Sequence, residues 1–165
     1  MMIYEGSISP NIPGRIGILV AKFNRTITER LLTGALEKFF SSGVPEGMID
    51  VFYVPGAFEL PTLSGRLIRD PRYAGVLALG AVIKGETSHD EHINRAISIE
   101  FARQGAESGK PVMFGVLTCN NVEQALARSG GDEGSHDKTQ TAHLGNKGAD
   151  CAEALLEMLD LLRKM

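Results

Sequence analysis

The chain has 165 residues, of which 43% are hydrophobic, and its formal net charge at pH 7 is −3. A chain of this length and apolar content is expected to form one globular domain with a substantial core. The mild negative charge gives no electrostatic basis for binding nucleic acid, and no apolar run approaches the roughly 20 residues that a membrane-spanning helix needs.

The features that report on cellular location favour the cytoplasm. The first residues contain no cationic segment followed by an apolar stretch, so no secretory signal is expected. Only two cysteines are present, Cys119 and Cys151, and they are expected to be reduced thiols rather than a disulfide. We therefore expect a cytoplasmic protein whose partners include neither nucleic acid nor a membrane.

Taken in chain order, the predicted elements alternate between strands and helices. Four apolar runs predict buried strands, at residues 15–21, 49–54, 75–83 and 112–118. Helical patterns follow them, at about residues 26–42, 59–70, 89–108, 121–128 and 149–164. This alternation predicts an α/β fold: a single-domain three-layer α/β/α sandwich with about four parallel strands in a flavodoxin-like order, flanked by helices.

Two capping patterns and three apolar faces define the helices more closely. Thr26 and Glu29 have the spacing of a capping box, and Asn120 with Glu123 predicts a second cap. The side chains expected to face the core are Leu31, Leu32, Ala35, Leu36, Phe39 and Phe40 in the first helix, Ile93, Ala96, Ile97 and Phe101 in the third, and Ala152, Leu155, Leu156, Leu159 and Leu162 in the last.

The N-terminal residues are set apart from the rest of the chain. Residues 2–5 form a short extended segment, and a linker rich in Pro and Gly follows it. We therefore divide the chain into an N-terminal strand and linker at residues 1–13 and an α/β domain at residues 14–165. Because a single strand is not stable alone, this strand either pairs with the sheet of its own subunit or extends the sheet of a neighbour.

The stretch from Gly80 to His92 carries the clearest functional signal. It is the end of a buried strand, followed by a polar turn and the start of a helix, which is where open α/β sheets bind ligands. Gly85 allows a ligand close to the backbone, and histidine, here His89, is the side chain that titrates near neutral pH. Residues after the other three strands are expected at the same edge of the sheet, which predicts a binding site there.

Six short motifs in this order resemble the 6,7-dimethyl-8-ribityllumazine synthase family. They are residues 22–24 (KFN), 56–61 (GAFELP), 80–89 (GAVIKGETSH), 114–118 (FGVLT), 123–128 (EQALAR) and 145–148 (GNKG). The resemblance extends from about Gly14 to the end of the chain. It implies a transferase of riboflavin biosynthesis that joins 5-amino-6-(D-ribitylamino)uracil to 3,4-dihydroxy-2-butanone 4-phosphate and releases phosphate and water, without a cofactor.

The resemblance also implies a role for individual residues. The residues implied to bind the organic substrate are Phe23 by ring stacking, Ala57, Phe58 and Glu59 at the ribityl chain, Ala81, Val82 and Ile83 at the pyrimidine edge, and Phe114. Those implied to bind phosphate are Gly85, Glu86 and Thr87 through backbone amides, Arg128 through its guanidinium group, and Lys147 through its charge. His89 is implied to transfer protons as a general acid and base.

Structural alternatives exist for several of these residues. Phe23 could be a lid on the core, Glu59 a favourable charge at a helix start, Arg128 a helix C-terminal charge, and His89 a helix-entry residue. His89 and His92 lie one turn apart, but two histidines without a third ligand do not predict a metal site. No sequence neighbour of Cys119 would activate its thiol as a nucleophile, so we expect it to be inert.

One segment departs from the family pattern, because residues 131–144 are inserted where relatives have only a few residues. The family forms pentamers with active sites at subunit interfaces, and some pentamers assemble into icosahedral shells. The resemblance thus implies a homopentamer in which Phe114 and Arg128 complete the pocket of a neighbour. The longer loop favours an isolated pentamer over a shell.

Other functions are compatible with the predicted fold. A flavodoxin-like module, or a compartment-forming protein with a decayed site, would bind flavin or lumazine without turnover. A response-regulator receiver is disfavoured, because it needs acidic residues at the end of the first strand, where this chain has Lys22 and Phe23. The archaeal type of riboflavin synthase shares ancestry with this fold and would act on lumazine alone.

Overall fold

A computed structural model describes residues 1–131 and 145–165 of the chain. The inserted segment, predicted at residues 131–144, thus lies outside the described residues except for Gly131 at its start. Four parallel strands form one sheet in the order β2-β1-β3-β4. They are β1 (Arg15–Ala21), β2 (Ile49–Val54), β3 (Tyr73–Ile83) and β4 (Val112–Cys119).

Five α-helices cover the two faces of this sheet in the described parts of the chain. They are α1 (Arg25–Ser41), α2 (Leu60–Arg69), α3 (His89–Ser108), α4 (Val122–Arg128) and α5 (Lys147–Lys164), with short 3-10 turns at Glu46–Met48 and Ala57–Glu59. One core cluster lies between the sheet and α1 and α5, and the other lies between the sheet and α2 and α3. The predicted three-layer sandwich is confirmed. None of the helices described is long and apolar enough to cross a membrane.

The strand register brings the functional loops to one edge. β1 and β2 end side by side at Ala21 and Val54, while β3 and β4 continue together to Ile83 and Cys119. Because all four strands are parallel, the loops that follow them leave the sheet at the same edge. The loops that the sequence predicts to carry the site therefore lie at one edge, as expected.

Three side chains predicted to face the core are exposed instead: Phe40, Ala96 and Leu162. Successive helical residues differ by about 100° in direction, so Phe39 and Phe40 compete for the inward direction, and packing buries Phe39 and leaves Phe40 exposed. The same competition places Ile97 inward and Ala96 outward. Leu162 lies in the last turn of α5, beyond the part of the helix that meets the core.

Both predicted caps are wrong in position. α1 begins at Arg25, one residue before the predicted cap Thr26. The carboxylate of Glu29 accepts a hydrogen bond from the side chain of Arg25 and not from a backbone N–H at the helix start. The cap of α4 is Asn121, not Asn120, and its side chain accepts a hydrogen bond from the Gln124 amide at 2.9 Å. The side chain of Gln124 accepts in return from the backbone N–H of Asn120, the residue before the cap, at 2.8 Å, so the arrangement is similar to a capping box and lies one residue later than predicted.

Residues 1–13 contain no strand, so the N-terminal segment does not pair with the sheet of its own chain. Ser7 is instead attached to α5 by hydrogen bonds to Asp160. Pairing with the sheet of a neighbouring subunit stays a prediction.

Candidate active site

A cavity of about 400 Å³ opens at the carboxyl edge of the sheet. The residues that line it come from the loops after three strands, and they are Phe23, Asn24, Gly56, Ala57, Phe58, Glu59, Ala81, Val82, Ile83, Gly85, Thr87, His89, Asp90 and Ile93. The chain therefore brings together most of the predicted site residues. Glu86 lies beside this group but is exposed and does not line the cavity.

Asn24 links the loop after β1 to the end of β3. Its backbone is left-handed, with φ 59°, a conformation that Asn tolerates better than most residues. Its side-chain amide donates to the carbonyl of Ala81 at 2.8 Å. The neighbouring Phe23 lines the cavity and has 72% of its surface exposed. Phe23 is therefore not a lid on the core, and its ring is free to stack on a ligand.

The turn at Ala57–Glu59 forms a second wall. Ala57 is buried and holds the turn against the core, whereas Phe58 and Glu59 are exposed. Glu59 precedes α2, yet its side chain accepts no capping hydrogen bond. Its carboxylate thus has no structural partner among the described residues, and it is available to accept from ligand hydroxyl groups.

The end of β3 offers backbone groups to the cavity. β1 pairs with β3 only as far as Leu79, so the side of β3 that faces β1 is open beyond this point. The carbonyl of Ala81 points to this side, since Asn24 donates to it. Because backbone groups alternate along a strand, the N–H and C=O of Ile83 point the same way. They are a donor and an acceptor for the edge of a planar heterocycle.

The loop from Gly85 to the start of α3 forms the third wall. A Cβ atom built on Gly85 would have no neighbour within 4 Å among the described residues, so packing within the chain does not require glycine there. His89 is the first residue of α3 and is exposed, and no described residue forms a hydrogen bond with its ring. Free amides at this helix start favour an anion, and an adjacent imidazole can transfer protons.

The remaining predicted site residues lie in a different cavity. Phe114, Arg128 and Lys147 line a cavity of about 770 Å³ between β4, α4 and α5, together with Thr118, Cys119 and Glu123 among others. The exposed guanidinium group of Arg128 has no hydrogen-bond or ion-pair partner in the described part of the chain. A single chain therefore does not bring its predicted phosphate-binding cations to His89.

Burial makes Cys119 a poor nucleophile. It raises the pKa of the Cys119 thiol, and the opposing effect of the positive charge on Arg128 is smaller. The thiol is thus favoured over the reactive thiolate, in agreement with the sequence-based expectation. The described residues contain no group of three His, Cys, Asp or Glu side chains that could hold a metal ion.

Sequence reasoning missed Asp90 and Ile93, which line the first cavity beside His89. The sequence pattern could have identified them, because helical spacing places Asp90 and Ile93 on the same face of α3 as Ile97. One carboxylate oxygen of Asp90, Oδ1, is buried and has no hydrogen-bond partner among the described residues. An acceptor left in this state costs about 1–3 kcal/mol, which a donor from a bound molecule would offset.

The sequence is similar to those of known proteins. The family model for 6,7-dimethyl-8-ribityllumazine synthase matches residues 13–163. A 6,7-dimethyl-8-ribityllumazine synthase of Lactiplantibacillus plantarum is 44% identical over 163 residues, which cover 99% of this chain and 95% of the relative. Another protein of that name, from Rhodopirellula baltica, is 44% identical over 156 residues and 94% of each chain.

Proposed function

Because the chain belongs to the 6,7-dimethyl-8-ribityllumazine synthase family, we propose that it is the transferase that condenses 5-amino-6-(D-ribitylamino)uracil with 3,4-dihydroxy-2-butanone 4-phosphate. The products are 6,7-dimethyl-8-ribityllumazine, phosphate and water, in the penultimate step of riboflavin biosynthesis. The observation that carries the proposal is the cavity at the carboxyl edge, where an exposed aromatic ring, free backbone groups and an unpaired imidazole meet.

The first cavity suits the pyrimidine substrate. Stacking on the exposed ring of Phe23 contributes about 0.5–1.5 kcal/mol beyond area burial. The free N–H and C=O of Ile83 bind the pyrimidine edge, beside Ala81 and Val82. Glu59 accepts from the ribityl hydroxyl groups, next to Ala57 and Phe58. These residues hold the amine in place for attack on the ketone, and such positioning accounts for much of the rate.

The phosphate substrate needs positive charge and a proton carrier. The amides of Gly85, Glu86 and Thr87 bind the phosphate group at the N-terminus of α3, and the guanidinium group of Arg128 grips it in two places. Lys147 adds positive potential. His89 moves protons while the amine attacks the carbonyl with loss of one water, phosphate is eliminated, and the second ring closes with loss of another water.

The proposed site is shared between two subunits. Within one chain, His89 lines one cavity and Arg128 lines another, which supports a site in which Phe114, Arg128 and Lys147 come from a neighbour. We propose a homopentamer of this kind, without a shell because of the insertion at residues 131–144, with residues 2–5 added to the sheet of a neighbour. Two free thiols fit a cytoplasmic location.

The proposal is tested by mixing the protein with both substrates and recording the absorbance and fluorescence of the lumazine product. We expect product to form faster than in the spontaneous reaction, and no acceleration would refute the proposed activity. Incubation with lumazine alone is the control for a riboflavin synthase. Tight flavin binding without turnover would instead support the alternative of a binding or compartment-forming protein, which no present observation favours.

A further inference from the structure

Asp90 lines the candidate active site, but the proposed reaction leaves its carboxylate without a role. It is the second residue of α3. One of its oxygens, Oδ1, is buried and has no hydrogen-bond partner among the described residues. A carboxylate accepts hydrogen bonds and donates none, so this oxygen lacks a donor. Buried polar groups are nearly always paired in native proteins, and an unpaired one in a cavity wall therefore points to a missing partner.

The position of Asp90 in the first turn of α3 does not explain the buried oxygen. An acid there interacts favourably with the helix dipole. Glu91, the next residue, also lies in the first turn and has the same interaction from an exposed position. His89 does not supply the missing donor, because adjacent residues on a helix do not face each other.

Asn94, one turn further along α3, has the same defect as Asp90. Its Oδ1 atom is also buried and has no partner among the described residues. Of these two acceptors, Asp90 lines the cavity and Asn94 does not. A molecule bound in the cavity therefore has direct access to the carboxylate of Asp90.

The start of α3 lies opposite the turn at Ala57–Glu59. This turn packs with Ile93 and Ile97 of α3 in one core cluster. Asp90 precedes Ile93 by three residues, so it lies on the same face of the helix, one turn nearer its start. Glu59 and Asp90 both line the cavity. The cavity thus has one carboxylate on the turn and another on the helix.

The chemistry of the proposed substrates decides which group meets Asp90. A phosphate group is disfavoured, because it has the same sign of charge as the carboxylate. The edge of the pyrimidine matches the free N–H and C=O of Ile83, which belong to the wall formed by β3. The ribityl chain carries several hydroxyl groups, and each needs an acceptor once it leaves water. A chain lying between the turn and α3 has Glu59 on one side and Asp90 on the other.

We propose that the carboxylate of Asp90 accepts a hydrogen bond from a ribityl hydroxyl group and is a further binding residue for the pyrimidine substrate. The inference rests on the proposed function and adds a specificity contact to it. The unpaired oxygen destabilises the free protein, and a ligand hydroxyl removes this penalty. A site built in this way discriminates against a ligand that lacks the hydroxyl group.

A cycle of two proteins and two ligands tests the contact. The wild-type protein and Asp90→Ala are titrated by calorimetry with 5-amino-6-(D-ribitylamino)uracil and with an analogue that carries a plain alkyl chain in place of the ribityl chain. Asp90→Ala should bind the ribityl compound about 10-fold more weakly, whereas both proteins should bind the alkyl analogue equally. KM for the pyrimidine should rise by the same factor with little change in kcat, because the chain does not react.

Thermal stability without ligand distinguishes a ligand contact from a contact within the protein. The matched control is Glu91→Ala, which removes an acid from the same turn but outside the cavity. At one fixed subunit concentration, the unfolding midpoint of Asp90→Ala should exceed that of Glu91→Ala by about 2–4 °C, because only Asp90→Ala also removes an unpaired buried oxygen. A donor from a rotated Asn94 amide, an ordered water or a neighbouring subunit would reverse this order.

Asp90→Asn is the conservative variant, and it keeps the test valid if Asp90→Ala folds poorly. It retains an acceptor oxygen, so it should lose only about threefold in affinity for the ribityl compound. The inference is overturned if neither variant weakens binding, or if Asp90→Ala is less stable than Glu91→Ala. An equal loss of affinity for the alkyl analogue would also overturn it, because the donor would then be an amino group of the ring.

Binding is measured as heat and not as product, which separates this inference from the proposed activity. A wild-type protein that binds the ribityl compound through Asp90 but forms no lumazine would refute the activity and leave this contact standing.

Discussion

Both edges of the sheet carry charged residues, but only those at the amino edge are paired with one another. At the amino edge, Arg15 forms two hydrogen bonds with the carboxylate of Asp50, and the hydroxyl of Tyr73 donates to the same carboxylate at 2.8 Å. At the carboxyl edge, the described residues provide no such partner for His89 or Arg128. The cavity at the amino edge, about 720 Å³, lies in size between the two at the carboxyl edge, about 400 and 770 Å³. Unsatisfied polar groups, and not cavity size, therefore identify the site.

The pKa shifts follow the same division. The hydrogen bond from Arg15 is the main reason that the pKa of Asp50 lies below its usual value, although burial opposes it. Burial, followed by the hydrogen bond to Asp50, raises the pKa of Tyr73. These groups stabilise one another in a single protonation state, which suits a structural contact and not a group that has to exchange protons during catalysis.

Loss of the guanidinium group at position 128 should have the largest effect. Arg128→Ala is expected to raise KM for the butanone phosphate about 100-fold, because a bidentate charged hydrogen bond to phosphate is lost. KM for the pyrimidine should stay nearly constant in steady-state assays. The matched control is Arg66→Ala, which removes the same charge from the cavity at the amino edge and should leave both constants unchanged. If both variants raised KM for the phosphate substrate equally, the carboxyl edge would not differ from the amino edge in binding phosphate.

The second-largest effect on activity is expected from substitution of His89. His89→Ala should lower kcat about 30-fold, less than the roughly 10²–10⁴-fold typical of general acid–base catalysis, because the condensation also proceeds without a catalyst and positioning supplies much of the rate. His92→Ala, one turn further along α3 and also exposed, is the control in the same assay. A comparable loss in His92→Ala would show that the change acts through the helix and not through proton transfer.

Substitution of Gly85 should have a smaller effect, confined to binding of the phosphate substrate. Gly85→Ala should leave thermal stability unchanged, since the added methyl group has no neighbour in the described chain, but should raise KM for the phosphate substrate about 10-fold by blocking close approach to the backbone.

Gly115→Ala is the matched control for this variant. Its methyl group would lie 2.7 Å from Leu79 and 2.9 Å from the carbonyl oxygen of Ala78, so it should destabilise the sheet. If Gly85→Ala binds the phosphate substrate normally, the anion site does not lie at this loop.

The strands could be predicted closely from the sequence. β1 and β2 match their predicted limits, and the other two differ by one or two residues. Strands buried on both faces form uninterrupted apolar runs, so their limits are visible without tertiary information. The buried residues of the helices were harder to predict than the strands. Adjacent apolar residues such as Phe39 and Phe40 compete for the inward direction, and only packing decides which of them is buried.

The residues of the candidate site were predictable from the motifs, but the division of these residues between two cavities was implied only by the family resemblance and by no local pattern. The motifs identified the residues around both cavities, yet nothing local in the sequence separates His89 from Arg128. Their separation depends on how far β3 and β4 extend past β1, and on where α4 and α5 meet β4. The left-handed Asn24 was also missed, because its conformation is maintained by a partner 57 residues away, Ala81.

The smallest effect on activity should come from the amino edge. Asp50→Asn is expected to change kcat and KM less than about twofold, while it lowers the free energy of unfolding by about 1 kcal/mol, a value appropriate for partly exposed ion pairs. The folded-state pKa of Asp50 is depressed, so its contribution is fully present above the unfolded value of about 3.9 and is lost as the pH falls through the folded-state pKa.

The stability difference between the wild-type protein and Asp50→Asn should therefore be constant from pH 7 to 5 and shrink below pH 4. Urea unfolding at one fixed subunit concentration measures it, because assembly also stabilises the subunits. A constant difference down to pH 3 would mean that the Arg15 interaction does not depend on the Asp50 charge. A tenfold loss of activity at pH 7 would show that the amino edge takes part in function after all.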